Sequence, residues 1–585
     1  MKKLLLSVII AFTFVSNTKA SHILGGEITW ECLSSGQYIF KMVVFRDCDG
    51  IPFGFNNQTL EIFNNPLPRN QNNQTVRSIQ LRPDSNKWLN ARNGDTAPTC
   101  DPNSPEDPYS CSNGDVGTVQ QFFFSSAPIT LRGVPPSVGW RFVWTAPCCR
   151  PNDVQNLAMG GTMILRAEMF PTRNNDNTDP CIDSSPQFRA LPTNLICRGY
   201  EFTYNHTAID KDLDSLVYSW DRTYNSPGAN PTVVGMAPRY APNNPTPDAT
   251  FNPNNIPSTL DPLTGIIKTA VYSNIGSGPR SYLTVIQVDG YRDGRIISSV
   301  YREIPYYFFD CPPLASGQIN GPPSIFIDGQ PAEGLITDIV AGQTVRIPFQ
   351  AQDQDFTGYG TGLQRVKVIP AGFMFSTRLT DKNLCEISGI APCATLENRA
   401  PVLNQQEQPP QYEVSGLAGV ATELVWDTRC YHIATVGTGV PGQAQGIYNF
   451  VMRVQDDHCP IPGINYPTIT VRVRDPIPLT EPIMKGASVE LDGRLIYSWV
   501  PPMDSTFTFE RYESEFSSPT DGQPVAFWQA LDPIINNYQQ RRRNGGFQFF
   551  VPGANNEPNI LVKRPNRDWY FRMLARSGCT DDVPS

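Results

Sequence analysis

Apolar and polar residues take turns along most of this chain. In GIYNFVMRVQDD, Tyr448, Phe450, Met452 and Val454 fall on one face, with Asn449, Arg453 and Gln455 on the other. In TITVRVRD, Ile469, Val471 and Val473 alternate with Thr470, Arg472 and Arg474. A period of two puts one set of side chains on each side of a strand, the pattern of half-buried antiparallel sheet. The 55 prolines and 44 glycines cut the chain into short segments, as in NNPLPRNQNN and NSPGANPTVV. No stretch holds a helical apolar period over four turns. Short alternating strands between Pro, Gly and Asn turns predict an all-β chain of tandem β-sandwich domains.

Length divides that pattern. The 585 residues are too many for one core and correspond to roughly three to five domains of ordinary size. Residues 1–20 read as a secretory signal peptide: Lys2 and Lys3 precede the apolar run LLLSVIIAFTFV, and Thr18 and Ala20 supply small residues before a cut at Ser21. The run is too short to span a bilayer, and no later stretch reaches about 20 apolar residues, so no membrane span is expected. The first cysteine is Cys32, so none sits at the cut to take a lipid. Loss of Lys2, Lys3 and Lys19 with the leader makes the formal charge three units more negative than −9. An acidic chain repels phosphate backbones, which argues against nucleic acid as a partner.

All 14 cysteines lie in the mature part, an even number that suits disulfides in an oxidising compartment. Proximity suggests local pairs: Cys100 with Cys111, Cys181 with Cys197, Cys385 with Cys393, Cys430 with Cys459. Each would close a short loop worth about 3 kcal/mol of chain entropy. The adjacent Cys148 and Cys149 are expected to have different partners.

The chain also repeats itself. SSPQF…YEFTYNHTAIDKDLDSL…LTVIQVDGYRDG is matched by GPPSIFI…VRIPFQAQDQDF…FVMRVQDDHC, with the acidic clusters at Asp210 and Asp353 offset by 143 residues (353 − 210 = 143). Each copy runs from a Pro-marked start, through a strand ending in alternating aspartates, to a long final strand. Two similar sandwiches in tandem are the simplest reading.

The mature start SHILGGEITWECLSSGQYIFKMVVFRDCDG, with CCRPNDVQNL and YNHTAIDKDLDSLVYS, resembles the surface proteins of gliding Bacteroidota known as gliding motility-associated and exported by the type IX secretion system. The resemblance covers roughly residues 21–475 and implies Ig-like or cadherin-like modules with adhesion or scaffolding as their work. ASVELDGRLIYSWVPP, with Trp499, resembles the B-strand of a fibronectin type III module, and DWYFRMLARSG its F-strand. The expected division is therefore a signal peptide at 1–20, an N-terminal β-sandwich at 21–175, Ig/cadherin-like domains at 176–312 and 313–478, and a fibronectin type III-like domain at 479–585. Asn544-Gly545 in QQRRRNGGFQFF marks a hairpin turn, with Arg541, Arg542 and Arg543 beside it as a solvated face. Family members usually end in a type IX sorting domain, and the given sequence shows none. In the fibronectin reading the last strand is missing, which leaves an edge open to strand addition by a partner or another copy, or else marks a truncated frame.

In TAIDKDLDSLVYSW, Asp210, Asp212 and Asp214 stand on alternate residues beside an apolar run. Hard Ca²⁺ takes roughly six to eight oxygens, and alternating aspartates at a strand end supply them from one side. Without a cation the repulsion costs about 1 kcal/mol per pair in water, so a screened acidic turn explains the string equally well. Cadherin-like modules bind calcium between domains through similar D-x-D strings, and the resemblance implies calcium at Asp210, Asp212 and Asp214, and at Asp353 and Asp355. The family's string carries glycine where Leu213 stands. Asp456 and Asp457 are adjacent and point apart if extended.

No catalytic constellation emerges. His22, His206, His432 and His458 lack the spacing of a zinc site, and His206 reads as a hydrogen-bonded turn residue. G-x-S-x-G is absent. GTGVPG matches G-x-G-x-x-G at Gly437, Gly439 and Gly442, but Pro441 and a strand follow where a helix is needed, so it reads as a hairpin loop. Tyr306, Tyr307, Phe308 and Phe309 in EIPYYFFDC form either a strand buried on both faces or a stacking platform for sugars. Together these point to a secreted, non-catalytic cell-surface adhesion or scaffold protein whose partners are surface proteins or extracellular polysaccharide. A glycan-binding accessory protein and an extracellular hydrolase with an unrecognised site are the alternatives.

Overall fold

The computed structural model describes residues 23–474 except 49, 51–55, 85–110, 112–117, 152–153, 173–180, 182, 189–194, 207, 213, 273–279, 293, 312–316, 318, 333–334, 354, 356–362, 371–373, 386–390, 405–410, 430–431, 433–444 and 459–461, and, beyond 474, the backbone of seven strands between 483 and 576. The architecture is all-β, in tandem units, as the alternation predicts.

The first unit holds β1 (Ile23–Cys32), β2 (Tyr38–Asp47), β3 (Gln58–Phe63), β4 (Ser78–Pro83), β5 (Val119–Ser126), β6 (Trp140–Cys149), β7 (Thr162–Met169), β8 (Gln187–Phe188), β9 (Leu195–Cys197), β10 (Glu201–Asn205), β11 (Ala208–Ile209), β12 (Ser215–Trp220), β13 (Ile256–Leu260), β14 (Ile266–Ala270), β15 (Arg280–Arg292) and β16 (Arg295–Phe309). Its main sheet runs β1-β2-β5-β4-β3-β6-β7-β16-β15-β12, and β1 pairs β16 again, so the sheet closes on itself through β16. Closure demands glycine. A Cβ at Gly25 would stand 2.0 Å from the Glu303 carbonyl oxygen, and one at Gly26 2.3 Å from that of Val43. Trp30, Phe40, Trp140, Phe142 and Trp144 fill the interior, with the Phe40 and Phe142 rings 4.5 Å apart.

The expected boundary at 175/176 is spanned by this sheet, since β16 hydrogen-bonds both β7 and β1. One disulfide spans it as well, Cys32 to Cys181, while Cys48 joins Cys111 before it and Cys197 joins Cys311 after it. The expected pairs Cys100–Cys111 and Cys181–Cys197 are thereby corrected: strand register, not proximity along the chain, brings these sulfurs together. Cys385–Cys393 forms as expected, whereas Cys430 and Cys459 lie outside the described residues.

The second unit has β17 (Ser324–Ile327), β18 (Gln330–Pro331), β19 (Ile336–Val340), β20 (Thr344–Gln352), β21 (Arg365–Pro370), β22 (Thr395–Glu397), β23 (Val402–Asn404), β24 (Gln411–Leu417), β25 (Gly419–Asp427), β26 (Gln445–Gln455), β27 (Ile464–Asn465) and β28 (Thr468–Arg474). Two sheets, β18-β17-β20-β25-β22 and β19-β28-β26-β21-β24-β23, face each other across a core of Val345, Ile347, Phe349, Trp426, Phe450, Met452 and Val471. β20 buries every second residue, as a half-buried strand must.

The two units are packed together. Val451, Ile464 and Tyr466 share a core with Phe202, Tyr204 and Tyr306, and the Tyr204 and Tyr466 rings meet edge-on at 5.1 Å. Asn205 Nδ2 donates to Thr468 Oγ1 at 3.2 Å, and Asn449 Nδ2 to the Thr264 carbonyl at 3.2 Å. Beyond 474, β29 (Ile483–Val489), β30 (Leu495–Val500), β31 (Arg511–Ser517), β32 (Gln529–Ala530), β33 (Arg541–Arg543), β34 (Gly546–Phe550) and β35 (Tyr570–Arg576) form sheets β29-β30-β34-β33 and β32-β31-β35. β33 and β34 pair across the expected Asn544-Gly545 turn, which itself lies outside the described residues, as do Gly437, Gly439 and Gly442.

Candidate functional site

The two acidic strings fold into the same local device, once in each unit. After β11 the chain turns, and Asp210 Oδ1 accepts the backbone N–H of Asp212 (2.8 Å) and of Asp214 (3.2 Å). This is the Asx turn that Asp favours, its carboxylate mimicking a backbone carbonyl. Asp212 Oδ2 then accepts the Ser184 N–H at 2.6 Å, tying the turn to the segment that leads into β8. In the second unit Asp353 Oδ1 accepts the Asp355 N–H at 2.8 Å, and Asp355 Oδ2 accepts the Gly321 N–H at 2.5 Å, tying the turn to the segment that leads into β17. The repeat is thus visible bond by bond.

The corners differ in how their charge is met. In the first, Arg292 at the end of β15 donates from Nε to Asp214 Oδ1 (2.8 Å) and from Nη2 to Asp214 Oδ2 (2.6 Å) and Asp183 Oδ1 (3.0 Å). Burial opposes the guanidinium charge, but the carboxylates around it hold its pKa above the ordinary value. Asp183 and Asp210 are almost wholly enclosed, so burial pushes both carboxyls well above the usual range, and the neighbouring acids push further. Asp183 Oδ2 and Asp210 Oδ2 are buried without a hydrogen-bond partner. On the flank, Glu31 bridges Lys41 (2.8 Å) and Lys211 (2.9 Å); burial alone would raise its pKa, but the two ammonium groups hold it down to about 2.

In the second corner neutral groups donate to Asp456 and Asp457. Asp456 accepts N–H bonds from Gly463 and His458 and the Asn320 amide at 2.8 Å, while Asp457 Oδ1 accepts the Arg365 N–H at 2.9 Å. Burial pushes Asp456 up to about 7, opposed by these donors and aided by Asp353; burial likewise pushes Asp353 up to about 6. Asp353 Oδ2 is buried without a partner.

Of the residues singled out in the sequence, Asp210, Asp212 and Asp214 come together, as do Asp353, Asp355, Asp456 and Asp457. Asp183, Arg292 and Asn320 were not singled out. Register β12–β15 pairs Ser215 with Tyr291 and so sets Asp214 beside Arg292, a juxtaposition that no local motif announces. Among the described residues no three His, Cys, Asp or Glu side chains gather as a ready-made metal cage. In the first corner Arg292 supplies a positive charge of the protein's own.

His206 and His432 are core residues. His206 is fully buried at the end of β10, its ring 4.9 Å from that of Tyr204 and both its nitrogens without a partner, which corrects the expected hydrogen-bonded turn. His432 packs at 4.7 Å against Trp426 and accepts the Arg429 N–H at Nδ1; burial and Arg429 lower its pKa to about 3. Tyr306, Tyr307, Phe308 and Phe309 are all buried within β16, so they form no sugar platform. No helix among the described residues is long and apolar enough to cross a membrane.

No family model and no curated protein matches this chain. Among solved structures it is similar to tandem domains from titin (12% identity, 68% of this chain and 94% of that one, TM-score 0.14). It is similar to the FN1–FN3 domains of chicken CNTN1 (8%, 68% and 93%, 0.13) and to the human desmocollin-1 ectodomain (11%, 81% and 90%, 0.13). Such low scores carry no functional argument, and the sheets themselves establish the fold.

Proposed function

We propose that this is a secreted, non-catalytic surface scaffold or adhesion protein, associated with gliding motility and type IX export, that contacts surface proteins or extracellular polysaccharide. The observation that carries this reading is the way ionisable groups are spent. The buried aspartates accept backbone and arginine N–H bonds that fasten one segment to another, and His206 and His432 are sealed in aromatic cores, so these groups serve architecture. What remains for contact is loops and strand edges. Among the described strands β23 is an outer strand exposing Val402 and Leu403, and β35 stands last in its sheet, where strand addition would occur.

The test is fractionation of cells and medium, followed by binding of the purified chain to surface proteins and a glycan array. Surface recovery with saturable binding supports the reading; turnover of a polymer, lost on changing one acid, replaces it with the hydrolase. Calcium at Asp210, Asp212, Asp214, Asp353 and Asp355 stays a proposal within this reading, supported by the buried, unpartnered Oδ2 atoms of Asp210 and Asp353. A melting curve raised by millimolar calcium over chelator supports it, and an unmoved curve removes it while leaving the scaffold standing.

A further inference from the structure

Tension applied to the two ends of a folded chain follows its covalent links, and in the first unit those links make a short cut. Cys32 in β1 is bonded to Cys181, and Cys197 at the end of β9 to Cys311, just past β16. The two disulfides lie in series. From Ile23 the path runs along β1 to Cys32, crosses to Cys181, follows the chain to Cys197 and crosses to Cys311. The loops left aside have sequence separations of 149 and 114. They contain β2 to β7 and β10 to β16, which is nearly the whole sheet and core; only β1, β8 and β9 remain on the path.

The second unit has no such bypass among the described cysteines, since Cys385–Cys393 spans a separation of only 8. It has a geometric one. β19, near its start, runs parallel to β28, its last strand, with Ile336 opposite Thr470 through to Val340 opposite Arg474. Pulling the ends of this unit slides the two strands lengthwise past each other, so the slanted hydrogen bonds of the ladder are loaded together. Antiparallel end strands would instead open one pair at a time. Asp338 of β19 strengthens the same seam, reaching Arg472 at 2.8 Å and Arg474 at 3.0 Å on β28. β17, which pairs with β20 over a short ladder, can peel away first and pass the load to this seam.

We propose that residues 23–474 are a tension-bearing segment: the first unit is shunted by two disulfides in series, and the second is clamped by the parallel β19–β28 ladder. The proposal concerns what the segment withstands rather than what it binds, so it stands or falls independently of the partner.

The experiment is to pull the mature, full-length chain from both ends in a single-molecule force measurement, oxidised and then reduced. Oxidised, the first unit can extend only through residues 23–32 and 181–197, at most about 9 nm. Reduction is expected to add releases of about 50 nm and about 40 nm, the contour lengths of the two loops. Either long release from the oxidised chain, or none after reduction, overturns the shunt. For the clamp, Ile339→Pro disturbs one of five registered pairs and is expected to lower the force of the second unit's step by at least roughly one fifth, with its length unchanged. Should Ile339→Pro show no step because it fails to fold, Asp338→Ala leaves every backbone amide in place and is expected to lower that force, as high salt should in the unaltered chain. A step force indifferent to Asp338→Ala and to salt overturns the clamp.

Discussion

A methyl group at Gly25 would stand 2.0 Å from the Glu303 carbonyl oxygen, a backbone atom that cannot swing aside. Gly25→Ala is therefore expected to cost about 3 kcal/mol by forcing β1 off β16, read as a lower urea midpoint; an unchanged midpoint contradicts the close approach. Arg292 is the second sensitive position. Arg292→Ala leaves Asp183 and Asp214 enclosed without their counter-ion and is expected to cost about 3 kcal/mol at neutral pH, a loss that acid should partly restore by protonating the orphaned carboxyls. Asp456 and Asp353 give the chain a pH dependence of definite sign. Their folded values, about 7 and about 6, lie above the ordinary carboxylate value of 3.8, so the folded chain holds protons that the unfolded chain has released. That contribution is complete below the unfolded value and is lost as pH rises through about 6 to about 7. Melting temperature in chelator should fall over this window, and Asp456→Asn should flatten the fall; an equally steep curve in the variant contradicts the assignment.

Among the strands, those whose pattern is local were legible in the sequence. Gln445–Gln455 and Thr468–Arg474 form strands as read, with the alternating apolar face buried, but Val451 and Thr470 on the opposite face are buried too, Val451 in the core shared with the first unit. The run through Tyr306 to Phe309 was open between core and surface, and the structure buries it, since β16 is covered on both faces by the first unit and the junction. What the sequence withheld depends on register. Antiparallel and parallel pairing of β16 with β1, β7 and β9 brings together residues more than a hundred positions apart, and no local signal encodes that choice. The disulfides follow from it, which is why neighbouring cysteines were poor guides except at Cys385 and Cys393, where the loop is its own determinant. The acidic corners were half legible: the Asx turns were visible as alternating aspartates, whereas Arg292 arrived through the β12–β15 register. Replacing Cys197 and Cys311 together by Ser is expected to cost about 4 kcal/mol, given the long loop they close, and chemical denaturation reads it directly.

Across the molecule, the two units meet through aromatic and aliphatic side chains, whereas each acidic corner is bonded within its own unit. Tyr466 sits in the core of the first unit, and Asn205 with Thr468 adds a hydrogen bond across the seam. The units are accordingly expected to unfold in one transition, which Tyr466→Ala should split into two; two transitions in the unaltered chain would argue for beads that fold independently. The closed first sheet brings distant cysteines together, and the path that tension takes through the first unit requires that they be joined. The decisive measurement is therefore peptide mapping of the purified protein under non-reducing conditions. The account predicts cross-linked peptides joining Cys32 to Cys181 and Cys197 to Cys311; a peptide joining Cys181 to Cys197 would contradict it.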